Sequence, residues 1–197
     1  MIKLIDLLKE NNKILVPRRS PEERQKNYSI ALQKKIQQYI KNGSQGDLNL
    51  ANTPITSLPD NLKVGGGLDL RNTPITSLPD NLQVGGYLYL VNTPITSLPN
   101  NLQVGGYLDL ANTPITSLPN NLKVGGYLNL ENTPITSLPD NLKVGGGLYL
   151  ANTKITSLPD NLKVDGDLHL NNTPMSKKYS KEQIKQMVPG IKGDIYM

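Results

Sequence analysis

YLDLANTPITSLPNNLKVGG, residues 107–126, is a twenty-residue phrase whose repetition decides how the whole chain is read. Copies with few changes occupy 47–66, 67–86, 87–106, 127–146 and 147–166, and a partial seventh starts at Asp167 and stops near Pro174. A fixed period of this length marks a solenoid, with one copy per coil. No copy can bury its apolar edge alone, whereas stacked neighbours reuse a modest core many times. That arrangement suits a chain with 37% hydrophobic residues and no Phe or Trp, a poor composition for a single globule.

Within a coil, Leu108 and Leu110 alternate with Tyr107 and Asp109 in the strand period, so the leucines share one face. Asn-Thr-Pro then ends the strand, because the residue before Pro is driven to extended backbone and Asn favours turns. Ile115, Leu118, Leu122 and Val124 return to the interior, giving about six inward apolar residues per copy. Pro119 forbids a long helix here, so the far side is expected to be irregular or short 3₁₀ turns. Gly125 and Gly126 are expected to turn the chain with backbone angles that other residues avoid.

The pattern Leu-x-Leu-x-x-Thr-x-Ile-x-x-Leu-Pro-x-x-Leu resembles the short leucine-rich repeat of bacterial effectors and of many bacterial and phage reading frames, over residues 47–174. A different class of β-solenoid is the alternative. The resemblance implies a parallel sheet, an interaction role and a phage-like or effector-like setting, host-directed or, as a structural repeat protein, virion-associated. One departure stands out. Where the family commonly has a ladder-forming Asn, this chain has Thr53, Thr73, Thr93, Thr113, Thr133, Thr153 and Thr173. A Thr hydroxyl makes fewer bonds than an amide, so the adjacent column, Asn52 to Asn172, is the candidate for that role.

The ends read as caps: 1–45 a helical N-terminal cap, 46–174 the solenoid, and 175–197 a C-terminal cap of helix plus strand. Residues 2–11 are expected to form a first helix. Ser20, Pro21 and Glu23 open a second with a capping box, an apolar stripe runs through Tyr28, Leu32, Ile36 and Tyr39/Ile40, and Gly43 stops it. Ser180 to Gln183 opens a short helix to about Met187. Gly193 to Met197 align with Gly166 to Leu170, which predicts an eighth strand and a sheet about 35 Å long.

The copies differ chiefly at the three outward strand positions. The first column reads Asp47, Gly67, Tyr87, Tyr107, Tyr127, Gly147, Asp167; the second Asn49, Asp69, Tyr89, Asp109, Asn129, Tyr149, His169; the third Ala51, Arg71, Val91, Ala111, Glu131, Ala151, Asn171. Five of the nine tyrosines lie there, and rigid amphipathic aromatics suit binding surfaces. Asp47, Asp69, Asp109, Glu131 and Asp167 against Arg71 give the face a formal charge near −4. The candidate partner-binding residues are Tyr87, Tyr89, Tyr107, Tyr127, Tyr149, Asp69, Asp109, Arg71, Glu131 and His169. The competing reading is structural: Tyr87, Tyr107 and Tyr127 are vertical neighbours that would stack and stabilise adjacent strands.

Catalytic chemistry has little to stand on. His169 is the lone histidine and there are no cysteines, so no catalytic residue, metal site or cofactor is assigned. Asp69 and Asp109 sit two strands apart, about 10 Å by strand spacing, with no partner expected to raise the pKa of either. Asp60, Asp80, Asp140 and Asp160 follow Pro, as turn residues do, and the Gly-Gly pairs lack the Lys-Ser/Thr of a phosphate loop. No signal peptide or membrane span is read; a soluble, cytoplasmic protein is expected. The net charge of +5 belongs to the ends: ten Lys/Arg against four acids over 1–45 and five against two over 174–197, but six against ten between them. Three function classes follow. A non-enzymatic scaffold docks a protein partner on the Tyr/Asp face. Basic ends, through Arg18, Arg19, Arg24, Lys34 and Lys35, meet nucleic acid or an anionic surface. Repeated Thr56 and Ser57 files meet ice. Homo-oligomer formation through the Tyr-rich sheet is a further option.

Overall fold

Leu48 and its equivalents build a parallel eight-stranded sheet that runs the length of the solenoid. A computed structural model describes residues 20–120 and 122–197. The sheet joins Leu48–Asn49, Leu68–Asp69, Leu88–Tyr89, Leu108–Asp109, Leu128–Asn129, Leu148–Tyr149, Leu168–His169 and Ile195–Tyr196 in chain order. Each residue pairs with its equivalent one coil on, Leu108 with Leu128 and Asp109 with Asn129. The expected eighth strand is present, pairing Leu168 with Ile195 and His169 with Tyr196. Leu108, Leu110, Ile115, Leu118, Leu122 and Val124 are all buried. Their equivalents in successive coils join one continuous apolar spine.

The far side holds more order than the sequence reading anticipates. Pro114–Pro119 and its counterparts are irregular, but the next segment forms a second parallel ladder of six strands, Lys63–Val64 to Lys163–Val164. Its Val side chains are buried while the Lys or Gln beside them face outward. Two-residue strands flanked by Gly-Gly carry too little periodicity to be recognised singly. Twenty-residue stacking makes them a sheet.

Gly-Gly corners serve close approach rather than unusual backbone angles. The glycines with left-handed φ among the described residues are Gly43 and Gly46, outside the coils. At Gly85, Gly105, Gly125 and Gly145 an added Cβ would collide with the carbonyl oxygen of the glycine one coil earlier. The left-handed residues within the coils are asparagines: Asn52, Asn72, Asn92, Asn112, Asn132, Asn152 and Asn172 have φ between 56° and 59°, and Asn61, Asn81 and Asn141 after the second Pro have φ between 56° and 61°, a conformation Asn tolerates better than most residues.

That column also carries the inter-coil ladder. The Nδ2 of Asn72, Asn92, Asn132 and Asn152 each donates to the Oδ1 of the Asn one coil before at 2.9 Å, and Asn172 does so at 3.1 Å. The Thr column stays within its coil: each hydroxyl donates to the Leu carbonyl three residues back, as Thr113 does to Leu110 at 2.7 Å. The threonines satisfy buried carbonyls and the asparagines tie coil to coil. Asn112→Ala should therefore cost about 1–2 kcal/mol, through left-handed strain and a lost amide bond. Asn112→Gly keeps the backbone conformation and should cost less. Urea unfolding of the two variants side by side separates the contributions.

Helix α1 (Pro21–Lys41) covers the first coil. Its expected capping box is formed, with Ser20 Oγ accepting the Glu23 N–H at 3.1 Å and Glu23 Oε2 accepting the Ser20 N–H at 3.0 Å. Leu32 and Ile36 join the spine and Tyr39 packs against it. Tyr28 and Ile40, expected in the same stripe, are instead exposed. The Tyr39 hydroxyl lies 2.8 Å from the Ser44 and Gly46 carbonyl oxygens, tying the helix end to the first corner. The helix expected over residues 2–11 lies outside the described residues.

At the other end Thr173 caps a short helix, α2 (Pro174–Lys178), that the sequence reading missed. Elsewhere Asn-Thr-Pro is followed by Ile-Thr-Ser-Leu-Pro, whose β-branched residues and second Pro oppose helix. Here Met-Ser-Lys-Lys follows and opposes nothing. Helix α3 (Lys181–Met187) opens at Ser180 as expected and buries Ile184.

Candidate binding face

Side chains opposite the buried leucines stand on the outer side of the long sheet, in three columns set by strand alternation. The structure brings the ten candidate residues to this one surface, but not in the arrangement a simple stack would give. Tyr87 turns away from Tyr107. It stacks on Tyr89 of its own strand, ring centroids 4.4 Å apart and planes 19° from parallel. Its hydroxyl donates to Asp47 Oδ2 at 3.1 Å. The ring lies over Gly67, where any Cβ would strike it. Gly147 likewise leaves room for Tyr127, whose ring carbon would stand 3.1 Å from an added Cβ.

The vertical contact does form further along. Tyr107 meets Tyr127 edge-on at 4.9 Å, Tyr127 lies 5.9 Å from Tyr149, and Tyr149, His169 and Tyr196 stack at 4.4 and 4.6 Å. Five rings thus cross five strands. Tyr196 is the member that sequence reasoning left out, although its alignment with His169 was the available signal. Tyr107 and Tyr127 remain 46% and 43% exposed despite their contact, so stacking does not consume their surface.

The charged members divide into a closed pair and open ones. Asp69 is buried, and Arg71 clamps it through two side-chain bonds, Nε to Oδ1 at 2.9 Å and Nη2 to Oδ2 at 2.6 Å. The guanidinium carbon also sits 5.2 Å from the Tyr89 ring centroid. Asp109 and Glu131 have no cation in salt-bridge contact among the described residues. Burial pushes the Asp109 carboxyl above its ordinary pKa, against the opposing pull of the Ala111 N–H and of Arg71. Burial, not a charged partner, produces the shift, in keeping with the expectation that no partner raises it. Because the folded pKa is raised, Asp109 favours folding below the usual carboxylate pKa, and that contribution is lost as pH rises through the shifted value. Asp109→Asn should therefore be neutral or stabilising at pH 7, by less than about 1 kcal/mol. The gap from the unaltered protein should close below about pH 4, as urea unfolding at the two pH values would show.

Between the Tyr87–Tyr89 pair and the ring row lies a cleft of about 290 Å³, lined by Tyr89, Tyr107, Tyr127 and Tyr149, with Leu108, Asp109, Asn129 and Glu131. Of the basic residues considered for nucleic acid, Lys35 donates to the Asn49 carbonyl, while Arg18 and Arg19 lie outside the described residues. Among the described residues no helix is long and apolar enough to cross a membrane.

The chain is similar in structure to the leucine-rich-repeat domain of a Shigella effector, with a TM-score of 0.51 and 21% identity, covering 86% of this chain and 88% of that one. No family model matches the chain, and no curated protein does. The likeness and the register of the strands give a leucine-rich-repeat-type solenoid, the fold class that the Leu and Asn-Thr-Pro spacing implied.

Proposed function

We propose that this leucine-rich-repeat-type solenoid is a non-enzymatic interaction scaffold, and that a protein partner docks on the outer face of its long sheet. The observation that carries this reading is the ring row from Tyr107 to Tyr196, of which Tyr107, Tyr127 and Tyr196 are exposed. Exposed aromatics on a rigid sheet supply contact area at small entropic cost, and Tyr is enriched among residues that dominate binding energy. The uncompensated carboxylates of Asp109 and Glu131 favour a basic partner. From the effector likeness we carry over only the fold, since fold alone does not give function.

Affinity capture from the native host at two salt concentrations, followed by mass spectrometry, tests the reading. A protein partner should be retained at both, and the double variant Tyr107→Ala/Tyr127→Ala should lose at least about tenfold in binding. Equal capture by the double variant rejects this face. Capture abolished by nuclease, with a steep fall in salt, points instead to charge-driven contacts through the basic ends.

A further inference from the structure

The cleft above Leu108 combines three properties that select one kind of occupant. Its walls are the rings of Tyr89, Tyr107, Tyr127 and Tyr149, and the face of an aromatic ring attracts a cation. Asp109 is half-buried on its floor. Its Oδ1 accepts the Ala111 N–H at 3.1 Å, while Oδ2 has no protein hydrogen-bond partner among the described residues. Glu131 adds a second carboxylate at the rim, partly buried and without a cation in salt-bridge contact.

The chain provides a cation for one carboxylate on this face and not for the next. Two coils earlier, Arg71 clamps Asp69 with two side-chain bonds while its guanidinium carbon lies 5.2 Å from the Tyr89 ring centroid. The surroundings of Asp109 offer the same ingredients, carboxylate and tyrosine ring, with no guanidinium in contact: that of Arg71 is held by Asp69 and acts on Asp109 only at a distance. The third-column residue of its own coil is Ala111, too short and uncharged to supply one. The cleft is small for a ligand pocket and suits a single long side chain. A neutral or anionic group seated there would cover Asp109 without compensating its charge.

We propose that this cleft is a receptor for one cationic side chain, arginine before lysine, presented by an extended segment of the partner protein. The assignment rests on the docking face proposed above and specifies what enters it. Arginine is preferred because a planar guanidinium can lie against a ring while its N–H groups bridge a carboxylate. Lysine offers charge without that plane. The site is thus the intermolecular counterpart of the intramolecular Asp69–Arg71–Tyr89 cluster.

Acetylated five-residue peptides Gly-Gly-X-Gly-Gly-amide, with X as Arg, Lys, norleucine or Glu, are the probes, titrated into the ¹⁵N-labelled full chain. The Arg peptide should shift the amides of residues 107–111 and 127–131 and bind at least about fivefold more tightly than the norleucine peptide. Lys should fall between them and Glu should not bind. Asp109→Asn should remove most of the Arg preference while leaving the rest of the spectrum unchanged, and Asp109→Glu should restore part of it. Norleucine matching Arg, shifts confined to other surfaces, or an Arg preference that survives Asp109→Asn would each overturn the site. A partner lost with Tyr107→Ala/Tyr127→Ala but held with Asp109→Asn would keep the docking face and overturn the cationic receptor. Loss in neither variant would remove the face itself.

Discussion

Gly105→Val is expected to cost about 3 kcal/mol or more, beyond the usual range for an added methyl group, because the new atoms meet main chain and not a movable side chain. The Cβ would collide with the Gly85 carbonyl oxygen. Relief requires the coils to part, and parting weakens the Gly105 N–H bond to Val84 and the Gly106 N–H bond to Gly86, both 2.9 Å. Gly125 stacks on Gly105 in the same way, so the strain is felt on both sides. The file relaxes where it leaves the glycines: its last members are Asp165 and Lys192, whose side chains pair at 2.6 Å. Gly145→Val meets the same obstacle in the Gly125 carbonyl oxygen and should cost as much, whereas Asp165→Ala, at a place in the file that already carries a Cβ, should be far milder. Thermal unfolding of the three variants checks the order, and equal midpoints for Gly105→Val and Asp165→Ala would count against close glycine stacking as the reason for the corner.

Leu110→Ala is the second large effect, expected to cost about 3–4 kcal/mol. Leu110 is fully buried between Leu90 and Leu130, which are fully buried as well. Rigid strand spacing above and below prevents the neighbours from closing over the void. In a one-dimensional stack the loss falls on the two interfaces of that coil, not evenly on the array. Hydrogen exchange should therefore rise most at the amides of Leu88, Leu90, Asn92, Leu108, Leu110 and Asn112, whose N–H groups bond to the next coil. A uniform rise along all coils would contradict nearest-neighbour stacking.

The long sheet was legible because Leu-x-Leu repeats at one period with the turn signal Asn-Thr-Pro fixed beside it. The eighth strand was legible because Gly193-Asp194-Ile195-Tyr196 repeats Gly166-Asp167-Leu168-His169. The second ladder was not, since Lys-Val is too short to show a period and its Gly-Gly neighbour also reads as a turn. The glycines were assigned to the wrong property for a related reason: a single coil shows a flexible residue, and only the stacked neighbour shows a missing Cβ. The Asn column takes the inter-coil role that the sequence offered it, while the Thr column stays within its coil. Depth within the coil decides this, because Thr113 is buried and reaches its own coil's carbonyl while Asn112 stands on the exposed rim in the left-handed region.

The binding face was legible as a surface and not as a site. Strand alternation puts Tyr107, Asp109 and their equivalents on the outside, whatever their rotamers. The gap between Tyr89 and Tyr107 exists because Tyr87 lies back over Gly67 toward Asp47, a choice made by residues forty positions apart in the chain. Asp109 looked like any surface carboxylate until the rings around it were placed.

In-register stacking at a period of twenty is what puts the tyrosines outside and the glycines in contact, so it is the claim to measure. The chain has no cysteine, and Lys63→Cys/Lys163→Cys places two spin labels on exposed positions of the second ladder, five coils apart. Pulsed electron-paramagnetic-resonance distances should centre near 24 Å for the backbone separation, in one narrow distribution. A broad distribution, or a centre beyond about 35 Å, where five strand spacings cannot reach, would contradict the stack.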